Sequence, residues 1–210
     1  MDVFLDDRYA FSLSPEVGVS LYVSQALDRA SIEQLLARDN ASRAYEAALR
    51  FLAFRPRSVA EVRRRLAARD IPAGAIDAAL DRLARSGLIG DEAFATFWVE
   101  QRQTFRPRAP RALLAELRLK GVDSETARAA VATVAYSEED AAYRAGLRRA
   151  QRLSAADRQR FAGVLAGHLG RRGFGSSSIR GATQRLWAEV TGAGPTGRGE
   201  EPSPRGPSSL

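Results

Sequence analysis

Cysteine is absent from these 210 residues, and histidine occurs once, at His168. The first absence removes disulfides, thiolate metal sites and cysteine nucleophiles together. With a single imidazole as well, no zinc site is expected. Lysine also occurs once, at Lys120, although Lys and Arg together number 32, so nearly every positive charge is an arginine. No apolar run approaches the ~20 residues that a membrane-crossing helix needs. The opening MDVFLDDRYAF has no basic run ahead of an apolar segment and does not read as a signal peptide. The expectation is a cytoplasmic protein with no membrane partner.

Catalytic chemistry is equally scarce. Asp6-Asp7 reads as a turn, Asp91-Glu92 and Glu138-Glu139-Asp140 as helix starts favoured by the dipole, and Glu200-Glu201 as part of a tail. None has a partner at metal-ligand spacing. Gly87 and Gly90 do not belong to a phosphate loop, because no G-x-x-x-x-G-K-[ST] run occurs. His168 is expected on a helix between Leu165 and Leu169, as a packing or surface residue. No enzyme, cofactor or small-molecule substrate is expected.

What is present is positive charge on a chain able to fold. Apolar residues make up 45%, enough for one elongated domain or two small ones. The formal net charge of +7 points to an anionic partner, either nucleic acid or an acidic protein surface. The arginine excess is also what a GC-rich genome encodes, so the sign of the charge says more than the residue type.

Residues 1–30 read as a β-hairpin and short helix. Val3–Leu5 and Arg8–Leu13 flank an Asp6-Asp7 turn, and Ser14-Pro15 is a cap followed by proline at the first helical position. Helical signals then continue to about Val190. Residues 191–210, rich in Gly, Pro and Ser, are expected to be disordered.

Between these ends the chain repeats. Ser58 and Glu61 form a capping box ahead of Val62 and Leu66, followed by Ile71, Ile76, Ala79 and Leu83. Adding 51 gives Leu113, Leu117, Val122, Ala127, Ala130, Val134 and, from Leu80, Val131; a further 52 gives Leu165, Leu169, Phe174, Ile179, Ala182 and Leu186, with Thr183 the one polar position. A further helix precedes each pair: from Ser31, from Asp91, and from Ser137 with Asp140 as its cap partner. The fold expected is mostly α, an elongated array of three tandem three-helix repeats at 31–86, 87–136 and 137–190.

Phe-Arg-Pro-Arg begins at Phe54 and again at Phe105. Both phenylalanines are expected to close the preceding helix against the core, with Pro56 and Pro107 ending it. Arg55, Arg57, Arg106 and Arg108 then sit in the loop before a middle helix. Arg63, Arg64 and Arg65 fan around the solvent side of the first middle helix. Arg111, Arg118, Lys120, Arg171 and Arg172 complete the candidate contact set for a partner or nucleic acid.

These residues carry a family resemblance. SGLIGDEAFATFWVEQR (86–102), ELRLKGV (116–122) and RPRSVAEVRRRL (55–66) resemble three successive motifs of the RecX regulatory-protein family. The likeness runs in outline from Ala44 to Leu186. The third repeat departs from it, with no Phe-Arg-Pro-Arg and GRRGFGSSSI in place of RLKGVDSETA. The resemblance implies a non-enzymatic modulator of the RecA recombinase, usually an inhibitor. Such a protein lodges in the helical groove of the RecA–DNA filament and limits ATP hydrolysis, strand exchange and coprotease action. The alternative reading is a stand-alone basic helical module that binds DNA or RNA.

Overall fold

The computed structural model describes residues 1–133 and 137–192. The expected disordered tail lies outside the described residues from 193 onward, and Val134 lies outside them too. β1 (Asp2–Leu5) and β2 (Arg8–Ser12) pair antiparallel, with Val3 opposite Phe11 and Leu5 opposite Arg8. Asp6 and Asp7 turn the chain at φ of 48° and 62°. This left-handed pair suits a two-residue hairpin loop, and Asp tolerates it better than most residues. A two-stranded ribbon is marginal alone. Here it leans on an apolar cluster of Leu13, Val17 and Leu35, against which Val3 and Phe11 pack.

α1 (Pro15–Gly18) is a single turn, and helix does not continue from it. Residues 19–28 are non-helical, a correction to the continuous helical reading. Local side-chain bonds compete with the helix there: Ser20 Oγ donates to the Val17 carbonyl at 2.8 Å, and Gln25 Oε1 accepts from the Tyr22 N–H at 3.2 Å. Ser14 does not cap α1 through its side chain. Its backbone N–H instead donates to Asp39 Oδ1 at 2.6 Å, and Asp39 is only 3% exposed. The buried carboxylate ties the end of the hairpin to α2 (Arg29–Leu52), which starts two residues before the expected Ser31 because Asp28 caps it, accepting the Ser31 N–H.

Among the described residues, nine further helices follow the expected grouping in threes. α2, α3 (Val59–Ala67) and α4 (Ala73–Arg85) enclose Ala44, Ala48, Val62, Leu66, Ala79 and Leu83. α5 (Asp91–Phe105), α6 (Pro110–Leu119) and α7 (Ser124–Ala132) enclose Phe94, Val99, Leu113, Leu117, Val122 and Ala127. α8 (Glu138–Ala150), α9 (Arg158–Gly170) and α10 (Ser176–Thr191) bury Phe161, Leu165, Leu169, Phe174, Ala182 and Leu186. The mostly α fold with a small N-terminal hairpin is therefore the one observed, and the hydrophobic ladder marks its core. Two compact units result. The first holds residues 1–105 with the stretch from Arg111 through α7, and the second holds Arg106–Pro110 with α8, α9 and α10.

One expectation about the duplicated motif is overturned. Phe54 is 87% exposed and Phe105 is 71% exposed, so neither closes a helix against the core. Phe54 stands beyond the end of α2, and Phe105 is the last residue of α5. Phe51, one helical turn before Phe54, supplies the packing instead.

Candidate partner interface

The first corner is built around one carboxylate. Ser58 caps α3, accepting the Glu61 N–H at 3.1 Å, while Glu61 reaches back to the Ser58 N–H at 3.3 Å. The Glu61 carboxylate also accepts from Arg55 Nη2 and from Lys120 Nζ, each at 3.1 Å. The side chains of Glu61 and Lys120 are 15% and 18% exposed, so this pair is largely withdrawn from water. Burial alone would raise the Glu61 pKa. The bonds from Arg55, Lys120 and Ser58 outweigh it and hold the carboxyl below its ordinary range.

Lys120 is committed on a second side. Its ammonium lies 4.2 Å from the Trp98 ring centroid and 5.9 Å from that of Phe94, within cation–π range of both rings. Trp98 donates Nε1–H to Glu116 Oε2 at 2.8 Å, and Arg102 Nε reaches the same oxygen at 2.7 Å. The Ser58 hydroxyl donates to the Lys120 carbonyl at 2.6 Å. Asp91, at the start of α5, accepts the Val59 N–H at 3.0 Å. Arg55 and Lys120 are thus braces of the corner in this structure.

The three consecutive arginines do not form a uniform fan. Arg63 is paired with Asp77 on α4. Arg65 is exposed, with its guanidinium 5.7 Å from the Phe51 centroid, while Arg57 stacks on the same ring at 4.1 Å. The Arg57 Nε is buried without a partner. Burial, then Arg55 and Arg65, pull the Arg57 pKa below its ordinary range, against the attraction of Glu61. Arg64 is exposed beside the turn at Gly121. α3 therefore presents Arg64 and Arg65 outward, with Arg57 backing them. Arg111 and Arg118 are exposed at the two ends of α6.

Beside Arg55 and Arg57 runs an open apolar groove of about 880 Å³, lined by Leu49, Phe54, Leu88, Ile89 and Phe97 among others. Leu88 and Phe54 are well exposed at 50% and 87%. Sequence reasoning missed this groove, because it assigned Phe54 to the core.

The second unit has its own cation cluster. Pro107 is buried, and its carbonyl accepts from Arg172 Nη1 at 3.4 Å. Burial, followed by repulsion from Arg108 and Arg106, lowers the Arg172 pKa. Arg106 and Arg171 are exposed. The structure thus gathers Arg106, Arg108 and Arg172 in this unit, and Arg55, Arg57, Arg65 and Lys120 near one corner of the other. An anion placed on either cluster would relieve like-charge repulsion. His168 links α9 to α8, with Nε2 3.2 Å from the Ala145 carbonyl oxygen. Among the described residues there is no group of acidic or imidazole side chains able to hold a metal, and no helix is long and apolar enough to cross a membrane.

Another missed feature is Arg158-Gln159-Arg160, which keeps the Arg-x-Arg of the duplicated motif 52 residues after Arg106. The repeat register could have found it, but the loss of Phe and Pro concealed it.

Residues 44–83 match the family model for the first three-helix domain of RecX, and residues 91–131 match that for the second. The regulatory protein RecX of Thermobifida fusca (strain YX) is 42% identical over 153 residues, covering 70% of this chain and 81% of the relative. That of Mycobacterium avium (strain 104) is 42% identical over 130 residues, covering 60% and 74%. That of Bacillus licheniformis is 29% identical over 190 residues, covering 88% and 71%. A crystal structure of a regulatory protein RecX shares the fold, with a TM-score of 0.69 at 22% identity over 87% of this chain and 94% of that one.

Proposed function

The chain belongs to the RecX regulatory-protein family, and from that premise we propose that it binds the RecA recombinase or its DNA filament in the helical groove. It acts there without catalysis of its own, as a cytoplasmic inhibitor of ATP hydrolysis, strand exchange and coprotease activity. The observation that supports a binding role is the outward basic face of α3. Arg64 and Arg65 are exposed beside the half-buried Arg57. Arginine's planar fork suits both phosphate and carboxylate partners, so this face fits an acidic protein surface or a nucleic-acid backbone. Purified protein is expected to slow DNA strand exchange by its cognate RecA at near-stoichiometric ratios. Full-speed exchange with folded protein present would refute the proposal.

The net charge of +7 also favours a second reading, a basic helical module that binds DNA or RNA unaided. That reading predicts tight binding to nucleic acid without RecA, with log affinity falling steeply with log salt. Weak binding at physiological salt would dismiss it and leave the recombinase proposal standing.

A further inference from the structure

One kind of joint occurs twice in the chain. Ser58, just before α3, donates its hydroxyl to the Lys120 carbonyl at 2.6 Å, in the turn between α6 and α7. Ala109, 51 residues later and just before α6, donates its backbone N–H to the Arg172 carbonyl at 3.2 Å, in the turn between α9 and α10. Lys120 and Arg172 are 52 residues apart, and each precedes a glycine in the left-handed region, Gly121 at φ 86° and Gly173 at φ 88°. Ser58 and Ala109 are 0% and 1% exposed, so each joint is sealed by the turn it receives.

One more step of 52 leads from Ala109 to Phe161 in α9. No turn is seated on this face among the described residues. An open groove of about 450 Å³ lies there between α9 and α10. Trp187 and Ile179 form its apolar floor, backed by the buried Phe161, which meets Trp187 edge to face at 5.0 Å between centroids. Thr183 also lines it, and its hydroxyl is buried without a partner.

The charge of this third position differs from that of the first joint. There, Glu61 receives the Lys120 ammonium. Its register equivalents are Ala112 and Val164, neither of which can receive a cation. The groove has no carboxylate in its lining, and its two charged residues are Arg158 and Arg180. Both are exposed, and among the described residues neither pairs with a carboxylate.

We propose that this groove binds an acidic segment of a partner protein. An apolar side chain of that segment seats on Trp187 and Ile179, its carboxylates pair with Arg158 and Arg180, and a polar group bonds the Thr183 hydroxyl. A peptide occupant is favoured because both sealed joints receive a polypeptide turn. A second copy of this chain fits poorly, since its Lys120 or Arg172 turn would bring a cation to a cationic site. The inference does not rest on RecA being the partner.

The test uses the full chain with ¹⁵N-labelled indoles. Its two tryptophans, Trp98 and Trp187, lie in different units and are told apart with Trp187→Phe. The probe is a short amphipathic peptide with Glu on one face and Leu on the other. Its controls are the same peptide with Lys for Glu, and oligothymidylate. The acidic peptide is expected to shift the Trp187 indole and leave Trp98 in place. Arg158→Glu with Arg180→Glu, both at exposed positions, is expected to weaken binding by about tenfold or more. An unmoved Trp187 resonance would overturn the proposal, as would undiminished binding by the double variant. Equal or tighter binding of the lysine peptide or oligothymidylate at Trp187 would overturn it too.

Discussion

Replacing Glu61 by Gln isolates the charge at the centre of the first corner. Glutamine keeps the side-chain length, and its single amide oxygen can still accept the Ser58 N–H, which then turns the NH2 toward Arg55 and Lys120. What is lost is the negative charge shared by Arg55 and Lys120. Hydrogen bonds to a charged group contribute about 1.5–3 kcal/mol each, and neutral ones about 0.5–1.5. Losing the carboxylate oxygen that accepts from both cations therefore costs about 2 kcal/mol. Lys120 would also be left half-buried without its counter-ion, which adds about 1 kcal/mol even with the Trp98 ring still in place. The expected loss is about 2–3 kcal/mol, or a fall in Tm of about 6–12 °C for a unit of this size. Thermal melts and urea titrations followed by circular dichroism would measure it. A cycle with Lys120→Met should show a coupling of about 1–2 kcal/mol.

The pH dependence supplies an internal check. The folded-state pKa of Glu61 is depressed, so its stabilisation is present above the ordinary carboxylate value of 4.5 and disappears as pH falls through the lower folded value. Wild type and Glu61→Gln should therefore converge in acid. A loss below about 0.5 kcal/mol at neutral pH would refute the reasoning. A gap that persists unchanged in strong acid would refute it as well.

Further perturbations address other parts of the structure. Gly121→Ala should destabilise by about 2 kcal/mol or more, because φ is 86° and a Cβ would collide with Ala60 Cβ; a denaturant midpoint equal to that of wild type would contradict this. Burial lowers the His168 pKa against its bond to Ala145, with Arg172, Arg149 and Arg171 acting in the same direction as burial. The unfolded chain therefore binds that proton more readily, and stability should decline as pH falls below 6.5. His168→Gln should flatten that decline, and an unchanged slope would count against it.

Much of the architecture was legible because burial in a repeated helical unit recurs at fixed spacing. Leu66, Leu117 and Leu169 are each 0% exposed, in keeping with the ladder read from the sequence. The Ser58–Glu61 capping box was equally legible, since it depends on neighbours three residues apart. Less legible was whatever depends on partners distant in sequence. Nothing local to Glu61 shows that Lys120, 59 residues away, shares its carboxylate. Nor does Phe54 announce its exposure, because an aromatic residue near a helix end reads the same whether or not a neighbouring helix covers it. The arginine trio illustrates both cases. Its outward placement followed from helical periodicity, whereas the pairing of Arg63 with Asp77 depended on how α3 meets α4.

The central proposal, that this chain restrains a recombinase through its basic α3 face, is tested most directly by DNA-dependent ATP hydrolysis. Cognate RecA would be titrated with wild type and with the combined Arg63→Ser, Arg64→Ser and Arg65→Ser variant, after circular dichroism has shown both to be folded. The prediction is inhibition by wild type and a marked loss of inhibition by the variant. Hydrolysis unaffected by wild type, or inhibited equally by both proteins, would contradict it.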